Sequence, residues 1–370
     1  MKTYCYALAL SILALLSAAH AEPARRPVKP GVVLPQRPTK LGAVLPLSGD
    51  LAYYGAAIRN GLILAQEHSA YPVELAIEDA PLLGNQILTA FEKLVKVEHI
   101  DAIAGNFSNQ GMLLMSPGID RHQLPTFHTA AADEQILAAS EWILTSNVRA
   151  ADEAVALADY AFNSLGARRA AVLAVETSFG VGYRKAFVAR FKELGGEIVA
   201  DEMQQTTELD VRSQCVRLRA ASPDVTFLAT FGQYLGVAAR QLRNLGAKTP
   251  LLTVYEVEDP SVVAVAGKDA LEGIRYLVSY TGDDAFERSY EERFGEKPHT
   301  FSRNAYDAAR LLIDATVRCD FDRPCIREQL YRVRSYQGAS GTFDIEPDGG
   351  SRKRFYLSEF KDGRFGRVVH

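Results

Sequence analysis

The residues able to do chemistry gather where apolar runs end. The stretch "LGAVLPLSGDLAYYGAAIRNGLILA", residues 41–65, passes from an apolar run to a helical pattern through a loop holding Ser48, Gly49 and Gly55. A strand–loop–helix of this kind is where a phosphate can rest on a helix amino end. Dinucleotide binding would need G-x-G-x-x-G at the turn. Here the two glycines stand six apart with Leu51, Tyr53 and Tyr54 between them, and those side chains keep a pyrophosphate off the backbone. No G-x-x-x-x-G-K-[ST] loop occurs, so nucleotide binding is excluded.

Catalytic sets are equally poor. There is no G-x-S-x-G elbow, and no serine has an evident His and Asp partner set. His122 and His128, in "IDRHQLPTFHTAAAD", are six apart, a spacing that fits neither a helix face nor a zinc signature. His128 follows a strand-like run, where it either lines a cleft or caps the strand end. Glu78 and Asp79 end another run, but neighbours on a strand point to opposite faces, so loop anchoring suits them better than acid–base work. No cofactor or metal is implied. A chain with strand-end architecture and no reaction machinery reads as a binding protein, not an enzyme.

Stepping to the elements, short apolar runs alternate with amphipathic stretches from Leu41 onward. Strands are expected over 41–47, 73–79, 101–106, 124–129, 168–175, 196–203, 224–230, 249–254 and 272–280. Helices are expected over 55–67, 85–97, 152–165, 182–194, 211–220 and 236–245. Strands alternating with helices predict an α/β fold of parallel sheets flanked by helices. The segment "GTFDIEPDGGSRKRFYLSEFKDGRF" reads instead as a terminal hairpin turning at Pro-Asp-Gly-Gly. The 330 residues from Leu41 exceed what one core serves, which predicts two domains. One internal echo is visible. Tyr54-Gly55 before the first helix is matched by Phe179-Gly180 in "RRAAVLAVETSFGVGYRKAFVARFKELGG". Each half would then place an aromatic ring at a strand's carboxyl end, where open parallel sheets bind ligands.

The ends suggest export. Lys2, an apolar core from Cys5 to Ala18 and Ala19-His20-Ala21 form a secretory signal over 1–21, too short an apolar run to span a membrane. Residues 22–40, with five prolines, read as a disordered leader. A net charge of −4 gives no footprint for nucleic acid or an anionic membrane. In an oxidising compartment, Cys319 and Cys325 in "VRCDFDRPCIRE" read as a disulfide joining one helix end to the next helix start. The rival metal site has only these two thiols and no nearby histidine. Cys215 falls at an apolar helical position, as a buried free thiol would.

Three segments then follow one another in an order shared with a known family: "LGAVLPLSGDLAYYGAAIRNGLILA", "IAGNFSNQGMLLMSPGIDRHQLPTFHTAAAD" and "RRAAVLAVETSFGVGYRKAFVARFKELGGEIV". Over 41–363 the chain resembles the type I periplasmic binding proteins, in the leucine/isoleucine/valine-binding branch that serves ABC importers. The resemblance implies two Rossmann-like lobes joined by a three-crossing hinge, with the ligand cleft between them. The first lobe would be 41–147 plus 280–336, the second 148–279 plus 337–370. It implies a monomer that captures a small molecule, an amino acid, an amide or a small carboxylate, and hands it to an inner-membrane ABC permease. A sensor that passes its closed state to a regulatory partner is the alternative. The family's site positions fall on Tyr54, on Ser108 and Asn109 for a ligand carboxylate, and on Phe179 where tyrosine is common. His128, Ala130 and Ala131 follow the fourth strand, and the alanines replace a hydroxyl that elsewhere receives the ligand ammonium. The acid that pairs with that ammonium falls on Glu256, with Tyr255 matching equally well, and a further ring comes from Phe231 or Tyr234.

Overall fold

The computed structural model describes residues 35–80, 84–130, 134–282 and 284–368. The first sheet is assembled from β1 (Thr39–Leu45), β2 (Val73–Asp79), β3 (Ala102–Asn106), β4 (Thr126–His128) and β5 (Ile143–Thr145), all parallel. Its helices are α1 (Ala52–Glu67), α2 (Asn85–Lys96), α3 (Asn109–His122) and α4 (Glu134–Ala139). β1 and β3 are apolar and almost wholly buried because helices cover both sheet faces. The register of those helices follows from sequence: α2 buries Ile87, Ala90, Phe91 and Leu94, the i, i+3, i+4, i+7 stripe of an amphipathic helix.

The second half repeats the plan. It contains α5 (Ala150–Asp159), β6 (Arg169–Val175), α6 (Ser178–Glu193), β7 (Glu197–Gln204), α7 (Arg212–Ala220), β8 (Val225–Ala229) and α8 (Gly232–Asn244). After these come β9 (Leu251–Leu252), α9 (Pro260–Ala266), α10 (Lys268–Leu271) and β10 (Arg275–Val278). The first sheet runs β2-β1-β3-β4-β5, and the second contains β7-β6-β8-β9-β10. Each is the doubly wound order in which the first strand lies between the second and third, so each lobe has one topological switch point. The internal echo in the sequence therefore marks two lobes of one topology, as expected for the fold class.

The chain returns to the first lobe through α11 (Ala285–Phe294), α12 (Thr300–Arg318) and α13 (Arg323–Tyr331), α12 packing along α1. Cys319 at the end of α12 is bonded to Cys325 in the first turn of α13, the disulfide anticipated from their spacing. β11 (Tyr336–Gly338), β12 (Gly341–Ile345) and β13 (Ser351–Lys353) form a separate antiparallel sheet around the Pro-Asp-Gly-Gly turn. That sheet is tied to α12 by Asp307, which accepts hydrogen bonds from the Ala339 and Ser340 amides at 2.8 Å each. A second hairpin, β14 (Tyr356–Lys361) and β15 (Arg364–Arg367), then extends the second lobe's sheet antiparallel beside β10.

Two local expectations change. The aromatic–glycine pairs lie inside the first turns of α1 and α6, because these helices begin at Ala52 and Ser178, earlier than their apolar stripes suggest. The expected strand 249–254 shrinks to two residues, since Val254 leads directly into a short 3-10 turn over Tyr255–Glu258. Cys215 is fully buried and forms no disulfide, and burial pushes its thiol up to about 12.

Candidate functional site

The first wall is built from the ends of β1 and β3, which flank a switch point. The Asp79 carboxylate accepts the Leu47 amide at 2.8 Å and so pins the loop after β1, while its neighbour Glu78 pairs with Lys93 at 2.7 Å on another face. Gly55 lets α1 close on that loop: a Cβ there would lie 2.0 Å from the Pro46 carbonyl oxygen. With the helix so close, Tyr54 is carried inward and is 1% exposed. Its ring stacks on Phe107 at 5.0 Å between centroids and meets Phe301 edge-on at 5.5 Å. Its hydroxyl reaches the opposite lobe, where a Cβ on Gly232 would be 3.7 Å away. Burial, and then the Asp259 carboxylate, raise the pKa of that hydroxyl, which makes no well-aligned hydrogen bond.

Ser108 caps α3, its Oγ accepting the Gly111 amide at 2.9 Å. Asn109, the first residue of α3, holds its Oδ1 2.7 Å from His128 Nε2. An amide oxygen only accepts, so His128 carries its proton on Nε2 and donates it. Burial keeps the ring neutral by lowering its pKa to about 3. His128 is fully buried and orients Asn109 from behind. Ala130 is also buried, and the Thr129 hydroxyl is committed to the Asn106 carbonyl at 2.9 Å. Ala131 lies outside the described residues.

The second wall repeats the construction. Thr177 caps α6 through Gly180, whose Cβ would sit 2.1 Å from the Val175 carbonyl oxygen. Phe179 is half-buried, 4.7 Å from Tyr183 and 5.5 Å, edge-on, from Phe231. Phe231 is half-buried at the start of α8, and Tyr234 beside it donates its hydroxyl to the Thr206 carbonyl at 2.7 Å.

Tyr255 and Glu256 are both buried between the lobes. The Tyr255 hydroxyl accepts from Asn147 Nδ2 at 2.7 Å, and its ring is 5.7 Å from Phe301. Glu256 has one carboxylate oxygen, Oε2, with no hydrogen-bond partner. Its pKa is raised well above the carboxylate range by burial and next by the charge of Glu153. Glu153 accepts the Tyr183 hydroxyl at 2.6 Å, leaves Oε1 unpartnered, and is pushed up to about 8, burial being the main cause. Among the described residues neither carboxylate has a Lys, Arg or His nitrogen within ion-pair distance. Two acids are thus buried close enough for the charge of each to disfavour ionisation of the other, and among the described residues neither has an ion-pair partner.

Sequence reasoning missed Glu153, Phe107, His299 and Phe301. Glu153 carried a signal: it falls within the apolar stripe of α5, beside Ala150, Ala154, Leu157 and Ala158. Phe107 precedes the anticipated Ser108. Phe301 and His299 sit at the start of α12, far along the chain, and only the fold brings them to Tyr54. Among the described residues no three His, Cys, Asp or Glu side chains group as a metal site would require, and no helix is long and apolar enough to cross a membrane.

The two lobes share one strand order, and Tyr54 of the first reaches Gly232 of the second. The family model described as a periplasmic binding protein matches residues 38–364. The chain belongs to the type I periplasmic binding proteins. Its relatives include the "Leu/Ile/Val-binding protein homolog 7" of Brucella melitensis, 26% identical over 98% of this chain and 95% of that protein. The leucine-binding protein LivK of Thermotoga maritima shares the fold with a TM-score of 0.83, at 23% identity over 90% of this chain and 98% of that one. LivJ of Streptococcus pneumoniae, solved with isoleucine, has a TM-score of 0.81 at 18% identity, covering 90% of this chain and 99% of LivJ. A solute-binding protein of R. palustris solved with benzoate has a TM-score of 0.80 at 21% identity, covering 90% and 96%. The family consists of periplasmic substrate-binding proteins of ABC transporters, and on that ground this chain is a non-enzymatic binding protein.

Proposed function

We propose that this periplasmic binding protein captures a small solute with an amino group and an apolar or aromatic body, and delivers it to an ABC importer after export and removal of residues 1–21. The observation that carries the reading is the uncompensated carboxylate of Glu256, supported by Glu153. A buried acid with an unpartnered oxygen costs several kcal/mol if ionised, and a ligand ammonium removes that cost. At the other end, the amides opening α3 at Ser108 and Asn109 suit a carboxylate. Tyr54, Phe107, Phe179 and Phe231 supply rings for the body of the ligand. The relatives named for leucine, isoleucine and valine and the isoleucine complex of LivJ agree with an amino acid. An aromatic carboxylate is the second reading, favoured by the ring walls, the alanine at 130 and the benzoate complex of a fold neighbour.

A thermal-shift screen of apolar amino acids against benzoate-like acids tests the reading. A true ligand at a hundredfold excess over its Kd stabilises the fold by about 2.7 kcal/mol. If Tyr54→Ala leaves that ligand's affinity unchanged, the site is misplaced.

A further inference from the structure

Two oxygens from different lobes converge on Gly232. A Cβ there would lie 3.7 Å from the Tyr54 hydroxyl and 3.9 Å from Oδ2 of Asp259. Tyr54 is carried by α1 beside the first sheet, whereas Asp259 opens α9, which packs along α8 beside the second. Gly232 begins α8 with a φ of +51° and has no side chain to set between them. The Tyr54 ring is fixed by its stack on Phe107 and its edge contact with Phe301, so the hydroxyl is held at this point.

Asp259 is suited to receive that hydroxyl. Its Oδ1 caps α9 by accepting the Ser261 amide at 2.7 Å, which fixes the carboxylate and leaves Oδ2 turned toward Gly232. Asp259 is 4% exposed, so both groups have left water. After burial, the charge of Asp259 and then its acceptor oxygen raise the Tyr54 pKa. The hydroxyl nevertheless makes no well-aligned bond in this structure. A small relative shift of the lobes completes a charge-assisted bond between them, and parting the lobes puts water in its place. Hinge motion of two lobes is how binding proteins of this kind admit a solute.

We propose that Tyr54 and Asp259 are an interlobe latch that holds the lobes together with no solute in place. The hydroxyl donates to Oδ2 across the lobe boundary, and solute entry and release both wait for that bond to break. Asp259 is thereby a positioning residue, acting on the cleft through Tyr54. The inference concerns lobe motion and is independent of which solute the cleft takes.

Pulsed-dipolar distances between two nitroxides on the ligand-free full chain are the test. Cys215 is buried and Cys319 is bonded to Cys325, so in a Cys5→Ser background the labels go to introduced cysteines alone. Val97→Cys after α2 and Leu209→Cys before α7 supply one exposed position on each lobe. The otherwise unmodified chain should show a majority population with the lobes together. Tyr54→Phe and Asp259→Asn should each lower the ratio of lobes-together to lobes-apart about tenfold, the scale of one hydrogen bond to a charged group. That change takes about nine-tenths together to about one-half. Both variants spare the packing, since phenylalanine keeps the ring and asparagine keeps the oxygen that caps α9. Combining them should add less than about twofold, because both remove the same bond. Tyr53→Phe, which removes the neighbouring hydroxyl, should also change the ratio less than about twofold.

The proposal is overturned if the unmodified chain is wholly lobes-apart or if either single variant leaves the distances unchanged. It is equally overturned if the double variant shows the product of the two single effects, or if Tyr53→Phe acts as strongly as Tyr54→Phe. None of these outcomes bears on whether the cleft takes an amino acid.

Discussion

The entries into α1 and α6 are built alike and finished differently. Both place glycine second in an aromatic–glycine pair, and in both a strand-end carbonyl lies close enough, at 2.0 Å and 2.1 Å, to forbid a Cβ. The rings do not match in burial. Tyr54 is sealed among Phe107, His299 and Phe301 and reaches Gly232 of the other lobe, whereas Phe179 remains half-exposed beside Phe231. The same scaffold thus carries one ring sealed against the other lobe and one left half-exposed. Close approach of backbones is fixed by topology; the burial of the side chain is fixed by what the other lobe brings to it.

Truncation separates the two most strongly. Tyr54→Ala should lose about 3–5 kcal/mol in chemical denaturation, as large buried aromatics do. Phe179→Ala should lose under about 2 kcal/mol, since half of its contact surface is already solvent, while weakening ligand binding as Tyr54→Ala does. Equal stability losses would erase the contrast. The shared element is tested next. Gly55→Ala and Gly180→Ala should each destabilise by about 3 kcal/mol, because a methyl group meets a backbone carbonyl that cannot move aside. A tolerated alanine in either lobe would show that the approach is looser there.

The polar floor gives a pH-dependent effect with a defined sign. Glu153 has a folded-state pKa near 8, above the unfolded value, so the folded chain holds a proton that the unfolded chain releases. Glu153's own contribution to stability should fall as pH rises from about 4.5 to about 8, by up to about 1.4 kcal/mol per pH unit. Buried neutral His128 and His299 act in the opposite sense below about 6.5. Glu153→Gln should therefore flatten the slope mainly between about 6.5 and 8. An unchanged slope would remove Glu153 from the account.

What was legible in the sequence follows the same division. Alternating apolar runs and amphipathic stripes disclosed the parallel sheets, since strands buried on both faces must be apolar along their length. The pair at Tyr54-Gly55 and its echo disclosed the switch points, because only glycine tolerates those carbonyls. The choice between Tyr255 and Glu256 was not legible: both are buried, and only the folded chain shows that the Tyr255 hydroxyl is engaged by Asn147 while Glu256 keeps one oxygen unpartnered. The orientation of the His128 ring was not readable for a related reason, since Asn109, its side-chain partner among the described residues, is supplied by a different strand end. Cys319 and Cys325 were readable because their pairing is local, whereas Phe301 meets Tyr54 only after the chain has crossed twice between lobes.

The central claim is that Glu256 and Glu153 await a ligand ammonium. It is tested most directly by calorimetry on matched pairs differing only in that group, such as leucine with 4-methylpentanoate and phenylalanine with 3-phenylpropanoate. The account predicts that the amino member of the preferred pair binds at least about a hundredfold tighter, equivalent to about 2.8 kcal/mol, and that Glu256→Gln removes most of the difference. Equal or tighter binding of the deaminated acid by the unmodified protein would contradict it.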